Sequence, residues 1–279
     1  MAQDFRIKNR IQVINTIGKI SRALQLVATS KLKKATKRIY EIRPYSKEMY
    51  DVFHQIIDNT NKSIYLQNSN FVSKKTLWII INSNIGLCAG YNNNINKLVL
   101  PQLQKNDLLI VIGSKGINYY NNREFNIIKG YTDFDLNFEY EKAQEIGFQA
   151  LSLFNDKEID AVKLVYTKFI NNITFEPTLL QLLPIIKQNI IKEKQEAILE
   201  FEPNAQVVLE RAMPLYLNTI IYSSIRESQL SEQASRRVAM ENATNNANDL
   251  KEELTLHYNR SRQSKITQEI SEIVGVTNN

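Results

Sequence analysis

The sequence predicts two long terminal helices paired as an antiparallel coiled coil, with a parallel-type α/β domain inserted between them. Three observations lead there. After Pro214 no proline occurs, and the next glycine is Gly275. A continuous helix over that stretch, about sixty residues, would reach roughly 90 Å at 1.5 Å per residue, far beyond the usual helix of a globular domain. It must be a rod, and a rod needs a partner along its length. The first forty or so residues repeat apolar and small side chains at heptad spacing, which supplies that partner. Between residues 73 and 202, short β-branched apolar runs alternate with helical stretches, the signature of a parallel α/β sheet.

The N-terminal helix is expected over residues 1–60. Its seam steps by four and three through Ile7, Ile11, Ile14, Gly18, Ser21, Gln25, Ala28, Leu32, Ala35, Ile39 and Ile42. A second stripe, Ile17, Ile20, Leu24 and Val27, is offset by one residue, about 100° around the helix. It reads either as the edge of a wide core-facing surface or as a face that touches something else. In the domain over 73–202, "TLWIIIN" (76–82), "DLLIVIG" (107–113) and "DAVKLVYTKF" (160–169) read as buried strands. Helices are expected near 90–103, 114–121 and 139–154, and a further strand near 173–183 completes the sheet. The C-terminal helix, over 206–279, has its own seam at Met240, Ala243, Ala247, Leu250 and Leu254. Two seams separated by a domain that turns the chain back imply an antiparallel pair. The N-terminal helix should end first, leaving α-helix beyond about Arg260 alone.

Composition excludes several function classes. One cysteine, Cys88, allows no intramolecular disulfide, and two histidines, His54 and His257, make a dedicated zinc site a poor fit. No apolar run approaches the eighteen or so residues of a spanning helix. The first residues lack a signal-peptide apolar region, and Asp4 suits a transit peptide badly, so a cytosol-facing chain is expected. The net charge is +6, unevenly placed: from Phe5 to Tyr40 there are ten Lys or Arg residues and no acidic one. Such a segment calls for an anionic partner, whether nucleic acid, membrane surface or acidic protein.

Two glycine stretches are candidate phosphate cradles. "NSNIGLCAGYN" (82–92) and "IGSKG" (112–116) each follow a strand and open a helix, but neither is a Walker A loop or a full G-x-G-x-x-G. Both read as strand-to-helix turns with Ser83 or Ser114 as the local cap. Cys88 has no histidine near it in sequence and reads as a buried structural thiol. No catalytic group, cofactor site or metal site can be assembled from these residues, so the chain is expected to work through contacts.

The ends of the chain carry a resemblance. "RIKNRIQVINTIGKISRALQLVATSKLKKA" (6–35) and "SEQASRRVAM…ATNNANDLKEELTLHYNRSRQSKITQEISEIVG" (231–275) resemble the terminal signatures of the ATP synthase gamma subunit family. Between them, "GLCAGYN", "IGSKG", "KFIN" and "PTLLQLLPI" follow in the family's order. The resemblance implies a two-helix shaft inside a hexamer of alternating alpha and beta subunits, with a Rossmann-like α/β domain at a membrane ring of c subunits, next to an epsilon subunit. One copy per complex would turn as a non-catalytic rotor coupling ion flow to ATP synthesis or hydrolysis. It would sit peripherally at the cytoplasmic face of a bacterial inner membrane, rather than at the matrix face of a mitochondrial one.

Residue by residue, the resemblance implies that Arg22, Leu24, Lys31, Lys33 and Lys34 meet an acidic lever loop of beta. It implies that Arg236, Arg262, Gln263, Thr267 and Glu269 bond to beta-subunit loops or support the shaft, and that Ile266, Ile270, Ile273 and Val274 form an apolar bearing tip. The chain departs from the family at Asn84 and Ile85, where Asp or Thr and then a basic residue are usual. It also departs at Ala89, which replaces a glycine, and at Arg237, a charge where apolar residues are common. A different class of reading, a basic coiled-coil nucleic-acid-binding protein, draws on the cationic segment. That segment, however, lacks the charge density of a recognition helix and is threaded with apolar residues.

Overall fold

The computed structural model of the chain describes residues 2–60, 62–67, 71–132, 134–135, 138–186 and 201–277. In chain order its elements are α1 (Ala2–Asn59), β1 (Leu66–Gln67), β2 (Thr76–Ile81), α2 (Tyr91–Val99), β3 (Leu108–Ile112), α3 (Ser114–Asn121), β4 (Asn126–Tyr131), α4 (Tyr140–Asn155), β5 (Ala161–Phe169), β6 (Phe175–Leu183), β7 (Ile185–Ile186) and α5 (Ala205–Thr277). They form two bodies, Met1–Thr29 with Arg236–Asn279, and Ser30–Ser235.

Both long helices contain a proline, Pro44 in α1 and Pro214 in α5. Proline removes a donor to the carbonyl four residues back, a change that breaks most helix interiors. Here Pro44 and Tyr40, and likewise Pro214 and Glu210, are exposed, so water can take the released carbonyl. Pro214 therefore does not mark the start of the C-terminal helix. The helix begins at an Asn204 cap, whose side-chain Oδ1 accepts from the Val207 N–H at 3.0 Å.

In the first body the N-terminal seam is as expected. Ile14, Gly18, Ser21 and Ala28 are buried, and Ile7, Ile11 and Gln25 are half-buried. The helices run antiparallel: a Cβ added to Gly18 would lie 3.3 Å from the Ala247 Cβ, and Lys251 Nζ donates to Asn15 Oδ1 at 3.2 Å. The expected C-terminal seam needs correction. Thr244 is buried and Ala243 only half-buried, while Leu250 is 36% exposed. The buried and half-buried line runs through Met240, Thr244, Ala247, Leu254 and Tyr258, and between Ala247 and Leu254 exposed Lys251 reaches across to Asn15. Thr244 enters it because its hydroxyl is satisfied within the helix, donating to the Met240 carbonyl at 2.8 Å. Small residues then let the backbones approach closely. Ile17, Ile20 and Val27 are 50%, 56% and 52% exposed, so the second stripe of α1 is not an extension of the core.

In the second body the sheet order is β4-β3-β2-β5-β6. β4, β3, β2 and β5 are parallel, and β6 is antiparallel to β5. The expected parallel sheet thus acquires one antiparallel edge. β2 and β3 are buried at every residue because both faces are covered. Leu77, Ile79 and Ile81 pack with α4, the C-terminal end of α1 and the Leu209–Ile225 part of α5. Trp78 and Ile80 pack with α2 and Tyr120 of α3 on the other face. The seam of α1 continues here as Leu32, Ala35 and Ile39 against Leu230 and Ala234.

Buried Asp107 fastens the start of the sheet. Its carboxylate accepts from the Thr76 N–H at 2.8 Å, Trp78 Nε1–H at 2.9 Å and the Gln104 N–H at 2.9 Å. Replacing it by alanine orphans three donors, two of them buried. Asp107→Ala is expected to lower the stability of the chain by about 3 kcal/mol or more, read as a fall in thermal midpoint.

Candidate functional site

The strand-to-helix turns come first, because a parallel sheet offers its ligand site at the C-terminal ends of its strands. Gly113, with φ of 101°, lies so close to the β2 end that an added Cβ would sit 2.2 Å from the Asn82 carbonyl oxygen. Its N–H donates to the Tyr131 carbonyl at 2.7 Å, and the Lys115 N–H donates to Ser83 O at 3.0 Å. These N–H groups serve the chain's own backbone. The turn is not a phosphate cradle.

Neither serine caps a helix. Ser83 Oγ donates to the Ile85 carbonyl at 2.9 Å, and Ser114 is already the first residue of α3. The cap comes instead from Asn84, whose Oδ1 accepts from the Ser114 N–H at 3.0 Å. Asn84 thus has a structural task. Cys88 is buried as expected, with its thiol 3.7 Å from Ser83 Oγ. Leu87 and Ala89 both adopt left-handed backbone, φ 61° and 47°, a strained conformation for residues with a Cβ.

The sheet changes direction between β2 and β5, and that crevice is filled by α5. Thr167 of β5 lies beyond the last rung shared with β2, Ile80 against Val165. The Thr167 N–H donates to Ser228 Oγ at 2.9 Å, and Ser231 Oγ donates to the Thr167 carbonyl at 3.0 Å. The Phe169 N–H donates to Glu227 Oε1 at 3.3 Å, and Ser235 Oγ donates to the Cys88 carbonyl at 2.7 Å. Arg226 Nη2 donates to the Phe138 carbonyl at 2.7 Å, and Gln229 Nε2 to the Asp135 carbonyl. Tyr91 Oη donates to Ser228 O at 3.4 Å. Burial, then the Glu232 carboxylate, pushes that phenol far above its ordinary range, so it stays a donor.

Sequence reasoning missed this cluster. Serine, glutamine and arginine in a helix read as a solvated face, and only the strand ends opposite them show otherwise.

The residues singled out from the sequence lie on α1 and α5. In the first body Arg22 is exposed, with Nη1 3.3 Å from Gln25 Oε1, and Leu24 and Arg236 are half-buried. Arg237 pairs with Glu241 at 3.1 Å, which accommodates its charge. Arg262, Gln263 and Thr267 are exposed, the Thr267 hydroxyl donating to the Gln263 carbonyl. Continuing the register of Gly18 against Ala247, the start of α1 comes opposite Arg260 to Gln263, and α5 runs on to Thr277. Beyond that point Ile266 and Ile270 are 48% and 56% exposed. Glu269, Ile273 and Val274 lie on the same helix, with side chains outside the described residues. In the second body Lys31, Lys33 and Lys34 are all exposed on α1. Among the described residues no group of His, Cys, Asp and Glu could hold a metal ion, and no helix is long and apolar enough to cross a membrane.

Helices α1 and α5, 58 and 73 residues long, pair antiparallel in the first body, and a doubly wound sheet forms the second. The chain belongs to the ATP synthase family, whose model matches residues 5–278. It is 48% identical to the ATP synthase gamma chain of Mycoplasma capricolum subsp. capricolum, over 98% of this chain and 97% of that protein. It is 49% identical to the gamma chain of Mesoplasma florum, over 100% and 99%. Among solved structures it is similar in fold to a chain of the central stalk and c-ring of Tetrahymena thermophila mitochondrial ATP synthase. That match has a TM-score of 0.57 and 24% identity, covering 80% of this chain and 99% of that one. A chain of Euglena gracilis mitochondrial ATP synthase matches with a TM-score of 0.59 and 18% identity, over 91% and 93%. Nothing in these relatives supports the nucleic-acid-binding reading.

Two measurements probe the site's local physics. Ala89→Gly relieves a left-handed alanine and is expected to raise thermal stability by up to about 1 kcal/mol. Burial raises the Glu227 carboxyl pKa above 4.5, opposed by the Phe169 N–H, Arg43 and Lys168. With the folded pKa raised, the stabilising contribution is full below the unfolded value and is lost as pH rises through the folded one. Glu227→Gln should therefore lose less stability than the wild type as pH rises from 4.5, read in thermal melts.

Proposed function

We propose that this chain is the central rotor of an F-type ATP synthase, coupling ion-driven rotation of a membrane c-ring to ATP synthesis or hydrolysis in an alpha3beta3 hexamer. One copy serves each complex, with epsilon as a further partner. Residues 1–60 and 206–279 are its shaft helices and 73–202 its domain. The observation that carries the reading is the end of α5, which continues past the start of α1 with Ile266 and Ile270 exposed. A lone helix with apolar residues open to solvent suits a tip enclosed by other subunits.

The shaft acts without chemistry of its own. A rod can drive a catalytic subunit only by touching its alternative states with different energies. Ile266, Ile270, Ile273 and Val274 form the bearing tip. Arg236, Arg262, Gln263, Thr267 and Glu269 make polar contacts with beta loops. Arg22, Leu24, Lys31, Lys33 and Lys34 meet the acidic lever of beta. The exposure of these cations supports the assignment, because exposed ion pairs are worth only about 0–1 kcal/mol each and can be made and broken at every step. The chain carries no catalytic site and rests on the cytoplasmic face of a bacterial membrane through the c-ring.

Replacing Lys31, Lys33 and Lys34 together with glutamate sets like charges against the lever, which costs several kcal/mol at an interface. In the membrane complex, ions pumped per ATP hydrolysed should fall below about half the wild-type value, with helix content unchanged because all three side chains are exposed. Full coupling in that variant would remove these lysines from the lever contact. The purified chain alone is expected to hydrolyse no ATP.

A further inference from the structure

We propose that Ser228 and Ser231 are positioning residues that form the torsional joint between α5 and the sheet, so that the α/β domain and the shaft helix turn as one piece. The inference rests on the rotor reading above and adds to it the site at which torque passes between helix and domain.

In a parallel sheet the N–H and C=O of one residue point to the same neighbouring strand. Thr167 faces Pro177 across the β5–β6 pair, and proline has no N–H to give. The Thr167 groups therefore point the other way, to where β2 would be if it continued. β2 has already ended at Ile81, and the next N–H, that of Asn82, goes to the Ile112 carbonyl of β3. Ser228 and Ser231 take the vacated rung, one hydroxyl accepting and one donating, three residues apart on one face of α5. Both serines are fully buried. The helix is thus bonded into the sheet as a substitute strand.

The geometry resists twist better than apolar packing alone. Hydrophobic contact is non-directional and tolerates sliding, whereas a hydrogen bond weakens steeply as its angle opens. Rotation of α5 about its axis would swing both hydroxyls off the same peptide residue together. The Phe169 N–H on Glu227 adds a third bond along the same strand end.

The test uses the assembled complex, with a rotation probe on an added surface thiol at exposed Lys105→Cys, since Cys88 is buried. The reading is the angular variance of the probe while the hexamer dwells at a fixed catalytic angle. Ser228→Ala with Ser231→Ala should raise that variance at least about twofold and keep ATP hydrolysis within about twofold of wild type. Ser223→Ala, which removes a hydroxyl bonded to Ile220 within the helix, should leave the variance unchanged. So should Ile80→Val, which loosens the opposite core. If the double variant does not assemble, Ser231→Ala alone should show a smaller rise. Unchanged variance in the serine variants, or an equal rise in either control, overturns the joint. A wild-type probe that never turns with ATP is a separate result and defeats the rotor reading instead.

Discussion

A buried peptide group with no partner costs about 1–3 kcal/mol, and at the end of β5 the chain cannot avoid making one. The strand outruns β2, its other neighbour holds a proline, and Thr167 is left with both backbone groups buried. Much of the second body follows from how that residue is satisfied. A helix must lie across the strand ends, it must carry short hydroxyl side chains there, and it must come close enough for them to reach backbone. Once α5 lies in that crevice the remaining bonds follow: Ser235 to Cys88, Arg226 to Phe138, Tyr91 to Ser228. The place where doubly wound sheets ordinarily hold a nucleotide is taken by the chain's own helix. The helix that fills this crevice is attached there by those bonds.

Along α5 the chemistry changes with its neighbours. From Leu209 to Ile225 it offers grease to the sheet, and from Arg226 to Ser235 it offers buried polar groups. In the first body its facing residues become small where it meets Gly18, with Thr244 and Ala247 buried there. Past the start of α1 its described apolar side chains, Ile266 and Ile270, are exposed. A helix of uniform amphipathicity could not do this, since each stretch needs a differently composed face.

The apolar runs of β2, β3 and β5 were legible in the sequence because both faces of those strands are covered, and unbroken grease has no other explanation in so short a run. β4 was not, because an edge strand that includes Lys129 and Gly130 and stays half-exposed carries no such signal. The α1 seam was legible through its regular isoleucines. The α5 seam was drawn one residue off at two places, since Leu250 looks like a better knob than Lys251 until the close approach at Gly18 is known. The polar cluster on α5 was illegible for a deeper reason: a serine bonded to a strand end and a serine bonded to water are the same letter. The glycine turns were read as ordinary turns, and so they are, but their expected serine caps proved to be the work of Asn84.

The pairing of Asn15 with Lys251 joins residues 236 apart in the chain. During synthesis this stretch of α1 leaves the ribosome with its seam uncovered, long before its partner on α5. The second body can assemble before that, because almost all of it precedes Ser235. Loop-closure entropy grows with the length of flexible chain between two contacts, so folding of the intervening residues lowers its cost for so distant a pair. The nascent chain therefore depends on its middle to complete its ends. Small residues at the middle of that seam, Gly18, Thr244 and Ala247, also leave less apolar surface there for other chains to stick to while it waits.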